Sequence, residues 1–157
     1  MALAEAKGKV CLLEFPEDLG RTPRGTPASI WQDPSLKLLA STSLVRGAIY
    51  QDEWAPLPFW KPTGLITNIE GIVADPFFYS GWPEFDSKGV YIGPLPKRES
   101  HGIGLIGKKQ DGTFATGPSA AYPAQMTTKL ASKLFESLVK RQAGPSKPGT
   151  SQLGAGL

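Results

Sequence analysis

The chain has 157 residues, 40% of them hydrophobic, and a formal charge of only +3, which suits one domain with its own core and does not by itself argue for nucleic acid. The single cysteine, Cys11, excludes an internal disulfide and any cysteine-rich zinc site. Nowhere does an apolar run approach the roughly 18 residues of a membrane span, so an intracellular soluble protein without membrane contact is expected.

Residues 1–8 are small or charged, and the reading there is a flexible N-terminus. Lys9 to Glu14 is a compact apolar run that reads as a strand, ended by Phe15-Pro16. A glutamate at a strand's carboxyl end is a candidate ligand contact in an open α/β sheet; the alternative is that Glu14 marks the exit to solvent. Residues 17–26 form a loop whose glycines and proline space out Arg21 and Arg24, two candidates for phosphate contact or for plain solvation. Thr26-Pro27 and Asp33-Pro34 both look like helix starts, so two short helices or one broken helix are expected over 27–40. Ile30, Trp31, Leu36 and Leu39 would form the buried face.

Leu44 to Gln51 and Gly64 to Ile69 are two further strand candidates, joined by the proline-stiffened connector 52–58 and expected to pair. From Val73 to Pro96 the chain is rich in aromatics (Phe77, Phe78, Tyr79, Trp82, Phe85 and Tyr91) and lacks a period. Such side chains either pin a long loop to the body or stack on a base. Lys97 and Arg98 are further cations for a nucleic-acid contact. His101, the only histidine, is a poor metal site alone. Gly102 to Gly107 matches the glycine string of dinucleotide sites. It neither follows a strand nor opens a helix, so a short strand at 103–106 is preferred, with a turn at Asp111-Gly112 and a hairpin partner at 113–116.

Pro123 opens the cleanest helix. Met126, Leu130, Leu134 and Leu138 recur every fourth residue, Phe135 and Val139 widen the stripe, and Lys129, Lys133 and Lys140 are expected mostly on the other side. Residues 141–157 are rich in Gly, Pro and Ser and read as a disordered tail, leaving 9–140 as the folded part.

Four strings, in order, carry a family resemblance. Leu12-Leu13-Glu14-Phe15-Pro16 resembles the Glu-Asn-Pro or Glu-Asn-Val strand end of cytosine-5 DNA methyltransferases and their degenerate phage- and retroelement-associated relatives. Pro27 to Trp31 resembles the segment after it. Gln51, followed by Lys61-Pro62-Thr63-Gly64-Leu65-Ile66-Thr67-Asn68, resembles their next strand block. Ala121-Tyr122-Pro123 leading into Leu130-Ala131 resembles their closing helix. The likeness spans about residues 10–140.

The resemblance implies an α/β fold with a partial Rossmann-like sheet of the methyltransferase type, short helices, a long loop region and a C-terminal helix. It implies that Glu14 is the catalytic acid, that Gln51, Lys61, Thr63 and Asn68 meet substrate, and that Tyr122 and Pro123 lie by S-adenosylmethionine. Phe15 stands where the family has Asn, and neither the Gly-rich cofactor loop nor the Pro-Cys nucleophile motif occurs in this stretch. Cytosine C5 becomes reactive only once a thiolate adds to the ring. The expectation is therefore a half-domain inactive alone, binding S-adenosylmethionine only with a complementary half. A second protein chain completing the sheet, and DNA, are its candidate partners. The alternatives are a structural subunit of a larger assembly, or a nucleic-acid-binding module using Arg21, Arg24, Lys61, Lys97 and Arg98 together with Lys108 and Lys109.

Overall fold

The structure, a computed structural model, describes residues 4, 6–40, 43–99, 110–113 and 121–144. His101, the Gly102–Gly107 string, the strand expected at 103–106, most of its partner at 113–116, Lys108, Lys109 and the tail beyond 144 lie outside the described residues. The turn at Asp111-Gly112 is present: Asp111 Oδ1 accepts from Thr113 N at 2.9 Å, and Gly112 takes a φ of +80°, which a side chain would strain.

Strand β1 is Leu12–Pro16, β2 Val45–Tyr50 and β3 Pro62–Thr67, and with β4 (Tyr79–Ser80) they form one sheet in the order β1-β3-β2-β4. The pairing of the two central strands is as the sequence suggests, with Val45 opposite Thr67 and Ile49 opposite Thr63. Every ladder is antiparallel, however, which departs from the parallel order of a Rossmann-like sheet. The connector explains why. Residues 51–61 hold one helical turn, α2 (Gln51–Trp54), and then Pro56 and Pro58. That is too short and too proline-rich for the crossover helix that parallel neighbours need.

β1 also runs past the expected boundary, through Phe15 and Pro16. It is an edge strand, and an edge tolerates a proline because its outward N–H has no ladder partner. Glu14 therefore sits within the strand instead of ending it.

The first helical segment is a 3-10 turn at Ile30–Gln32, followed by α1 (Pro34–Leu39). Ser29, not Thr26, caps the first, accepting from Trp31 N; Asp33 caps the second, accepting from Ser35 N at 2.8 Å with Pro34 as first helical residue. Trp31 is buried, and Ile30, Leu36 and Leu39 are half-buried against the same cluster. Beyond β3 lie α3 (Glu70–Val73) and the hairpin β5 (Glu84–Phe85) and β6 (Tyr91–Gly93). Asp86 turns this hairpin, its Oδ1 accepting from Lys88 N and Val90 N.

Alternation divides the core. Ile49 and Leu65 face the helices, joining Trp54, Ile69, Ile72, Phe78 and Met126. Ile66 faces the other way, onto Cys11, Trp31 and Leu44. Gly47 lies on the helical side, where an added Cβ would meet the Phe78 ring at 2.4 Å and Tyr79 O at 2.8 Å. Gly47→Ala should cost about 1–3 kcal/mol through overpacking. A lowered urea midpoint at unchanged m-value is the expected readout, and an unchanged midpoint would mean that Phe78 is free to move.

Helix α4 runs Ala124–Ala143, past the expected end at 140. Its last turn is held by Arg141, which donates to Lys9 O at 3.0 Å and to Asn68 O at 3.1 Å. The face it buries is only in part the one the periodicity favours, since Leu130 and Leu138 of the expected stripe are half-buried and Leu130 packs on the core. Met126 and Ser137 are buried, and Lys129 and Lys133 point inward, while Phe135 is 67% exposed and Leu134 and Val139 are also exposed. The cause is Asp75, a buried carboxylate that draws both lysines, at 3.0 and 3.1 Å. Charge pairing, invisible to a hydrophobic pattern, rotates the helix.

Candidate functional site

The resemblance names residues scattered in sequence, and the fold gathers three of them. Glu14, opposite Leu65, projects to the helical side of the sheet. There the Tyr122 hydroxyl, just before α4, donates to Glu14 Oε2, and Lys61 Nζ lies 5.0 Å from the Tyr122 ring centroid. Burial, then the adjacent carboxylate, pushes the Tyr122 phenol up from its ordinary value. At the same strand end Gln51 Nε2 donates to Thr63 Oγ1 at 2.9 Å, and that hydroxyl donates to Lys61 O at 3.1 Å. Both side chains are fully buried, and Gln51 Oε1 has no hydrogen-bond partner.

Asn68 lies at the opposite end of β3. Its amide accepts from Cys11 N at 2.9 Å and donates to Lys9 O at 3.1 Å, which pins the start of β1. Pro123 stands at the N-cap of α4, where its carbonyl accepts from Thr127 N. The Tyr122 hydroxyl donates to Glu14 and Lys61 lies over its ring, while Tyr122 as a whole is 45% exposed.

Of the candidate phosphate contacts, Arg21 and Arg24 are exposed in a turn closed by the Thr22–Gly25 bridge, and Lys97 is exposed. Arg98 is not available in the same way. It donates to Asp52 Oδ2 at 2.7 Å and to Glu53, and its guanidinium stacks 3.9 Å from the Tyr50 ring. Burial alone would lower its pKa, but the two carboxylates outweigh that and raise it. Tyr50, Trp60, Tyr91, Leu95, Lys97 and Arg98 line a cavity of about 540 Å³. The aromatics of the 73–96 segment mostly pin it: Phe78 joins the core, Trp82 packs on Trp31, and Tyr91 reaches Glu17.

The other side of the sheet holds a charge cluster the sequence reading missed. Glu17 and Arg46 form an ion pair with side chains 0% and 1% exposed. Tyr91 donates to Glu17 Oε1 at 3.1 Å, and Arg46 Nη1 donates to Gly81 O at 2.7 Å. The guanidinium lies 4.6 Å from the Trp31 ring and 5.6 Å from that of Trp82. Gly64 makes room for all of this, since a Cβ there would meet Trp31 at 2.6 Å and both Arg46 Nη2 and Glu17 Oε2 at 2.7 Å. Burial pushes the Glu17 carboxyl up, and the Arg46 charge reverses only part of that. One signal was present in the sequence: an arginine in the middle of the apolar strand Val45–Tyr50 has to find a partner.

Among the described residues no group of His, Cys, Asp and Glu is arranged to hold a metal, and no helix is long and apolar enough to cross a membrane. Compared with family models, curated proteins and solved structures, the chain matches none.

Proposed function

We propose that this chain is a methyltransferase-like half-domain without activity of its own, working as an interaction subunit of a larger assembly. The observation that carries this reading is the separation of its only thiol from its candidate acid. Cys11 is buried with Trp31, Leu44 and Ile66, whereas Glu14 points to the helical side and is tied to Tyr122. A thiolate must add to the cytosine ring while a carboxylic acid holds the same base. Groups on opposite faces of one sheet cannot share a base.

A second protein chain is the partner this reading calls for. β1 forms one edge of the sheet, and Leu12 and Phe15 on it are about two-fifths exposed, at 40% and 39%. An edge of this kind is a template for strand addition. DNA is the weaker partner, because Arg98 is neutralised by Asp52 and Glu53 and the remaining loop cations are few.

The test is calorimetric titration of S-adenosylmethionine into chain shown by circular dichroism to unfold cooperatively, with a radiolabelled methyl-transfer assay on duplex DNA beside it. No heat and no transferred label are expected. Micromolar binding or any turnover would overturn the reading.

A further inference from the structure

We propose that the outward face of α4 is a self-association surface, on which a second copy of this chain lays its own α4 antiparallel about a two-fold axis level with Lys133. The charges of α4 all keep to one side. Lys129 and Lys133 reach Asp75, Lys140 reaches Glu70, and Arg141 reaches Lys9 O and Asn68 O. Glu136, the remaining charged residue, has its Oε2 3.8 Å from where a Cβ on Gly71 would stand. The opposite face runs the length of the helix without a charge, although a surface helix ordinarily places its charges toward solvent. It is apolar in its second half, where Phe135 is 67% exposed, Val139 47% and Leu134 38%.

Six residues of that face, Ala124, Thr128, Ala131, Phe135, Leu138 and Gln142, follow one another at alternating steps of four and three. That spacing is the seam of a two-helix coiled coil. All six are exposed except Leu138, which is half-buried. Their sizes say which partner fits. Small side chains fill the first half of the seam and large ones the second. In an antiparallel pair centred on 133, Ala131 meets the partner's Phe135, Thr128 the partner's Leu138, and Ala124 the partner's Gln142. Each layer sets small against large, and the two-fold makes every contact twice, as an isologous interface requires. A parallel pair would set Phe135 on Phe135 and Ala131 on Ala131, crowding one layer and leaving a gap in the next. On the flanks Leu134 and Ser132 each face their own counterparts, so no like charges are brought together.

Other occupants suit this face less well. Nucleic acid finds no cation on it. An interfacial membrane helix carries Lys and Arg beside its apolar stripe, whereas these are tied to Asp75, Glu70 and backbone carbonyls. Two helices paired over about 30 Å would bury on the order of 1,000 Å² across both copies. That is near the lower limit for a specific interface and predicts a dimer of micromolar affinity.

Sedimentation equilibrium on the full chain should show monomer passing to dimer through the micromolar range. Phe135→Glu should weaken dimerisation about a hundredfold. It should leave the urea midpoint of the dilute monomer unchanged, because the ring it removes is exposed. Ala131→Phe alone should also weaken the dimer by setting ring on ring, and adding Phe135→Ala should restore it by exchanging the sizes within each layer. A short bismaleimide should join Ser132→Cys chains near the axis. It should leave Gln142→Cys chains single, since those positions would stand about 27 Å apart. Cys11 is buried and does not compete. A chain that stays monomeric, a dimer that survives Phe135→Glu, or equal cross-linking at the two positions would overturn the assignment. The wild-type sedimentation and the two cross-links decide the matter if the Phe135 variant fails to fold. Strand addition on β1 and activity toward S-adenosylmethionine play no part in these readouts, so their failure is separable from that of the proposed function.

Discussion

Arg46→Met is expected to destabilise the chain by about 3–5 kcal/mol at neutral pH, the range for breaking a buried ion pair by removing one partner. The cost arises from what remains. Glu17, with its side chain 0% exposed, would keep only the Tyr91 hydroxyl as a donor, with the Asp18 charge next to it. The pH dependence follows from the same groups. Burial already holds the Glu17 carboxyl above its ordinary value of 4.5, and loss of the Arg46 charge raises it further. A carboxyl with a raised folded pKa keeps its proton in the folded state after the unfolded chain has released it. Stability therefore falls as pH climbs from the ordinary glutamate value through the folded one. The variant should be weakest near neutral pH and should regain part of its deficit as pH falls from the raised folded value toward the ordinary 4.5. Adding Glu17→Leu removes the stranded charge, and the double variant should recover most of the loss. Chemical denaturation of the three chains at pH 7 and pH 5 checks this; a loss below about 1 kcal/mol for Arg46→Met would mean the pair is solvated.

That cluster also shows where sequence reasoning succeeds and stops. Strands Val45–Tyr50 and Pro62–Thr67, and their pairing, were legible because a run such as Ala48-Ile49-Tyr50 has no stable place except a sheet interior. The helix starting after Pro123 was legible from its period. What was not legible depended on contacts between distant residues. Ending the first strand at Glu14 put the interest on a half-buried carboxylate, whereas an edge that accepts Pro16 carries the chain on to bury Glu17 and Asp18. Antiparallel order of β2 and β3 could have been read from the connector 51–61, which is too short and too proline-rich for a crossover helix, but the family resemblance pointed to a Rossmann-like sheet instead. Glu14, Lys61 and Tyr122 do meet, yet the resemblance that named them did not say that each would be occupied by another.

Asp75→Asn should cost about 2–3 kcal/mol and loosen α4 selectively. That helix keeps Leu134, Phe135 and Val139 in solvent, so its attachment leans on relatively few apolar contacts, chiefly Met126 and Leu130. The rest is polar: Lys129 and Lys133 converge on Asp75 Oδ2, and Lys133 Nζ also donates to Gly71 O on α3. Asp75 itself is 4% exposed at its side chain while the lysines are 31% and 19% exposed, which puts the cost below that of the Arg46 pair. Burial alone would raise the Asp75 carboxyl, but hydrogen bonds from Lys129, Phe77 N and Lys133 more than reverse this and hold it below its ordinary value of 3.8. With a lowered folded pKa the unfolded chain takes up the proton first. The stabilisation is complete above the ordinary aspartate value and is lost as pH falls through the folded one. This is the opposite sign to Glu17, and the two windows barely overlap. Hydrogen exchange is the discriminating measurement. In Asp75→Asn the amides of α4 should exchange through a local opening well before those of β2 and β3, because the sheet keeps its own core of Ile49, Leu65 and Ile66 without the helix's lysines. Uniform acceleration across helix and sheet would instead mean that α4 and the sheet open as one unit, with Asp75 holding the whole fold and not the helix alone.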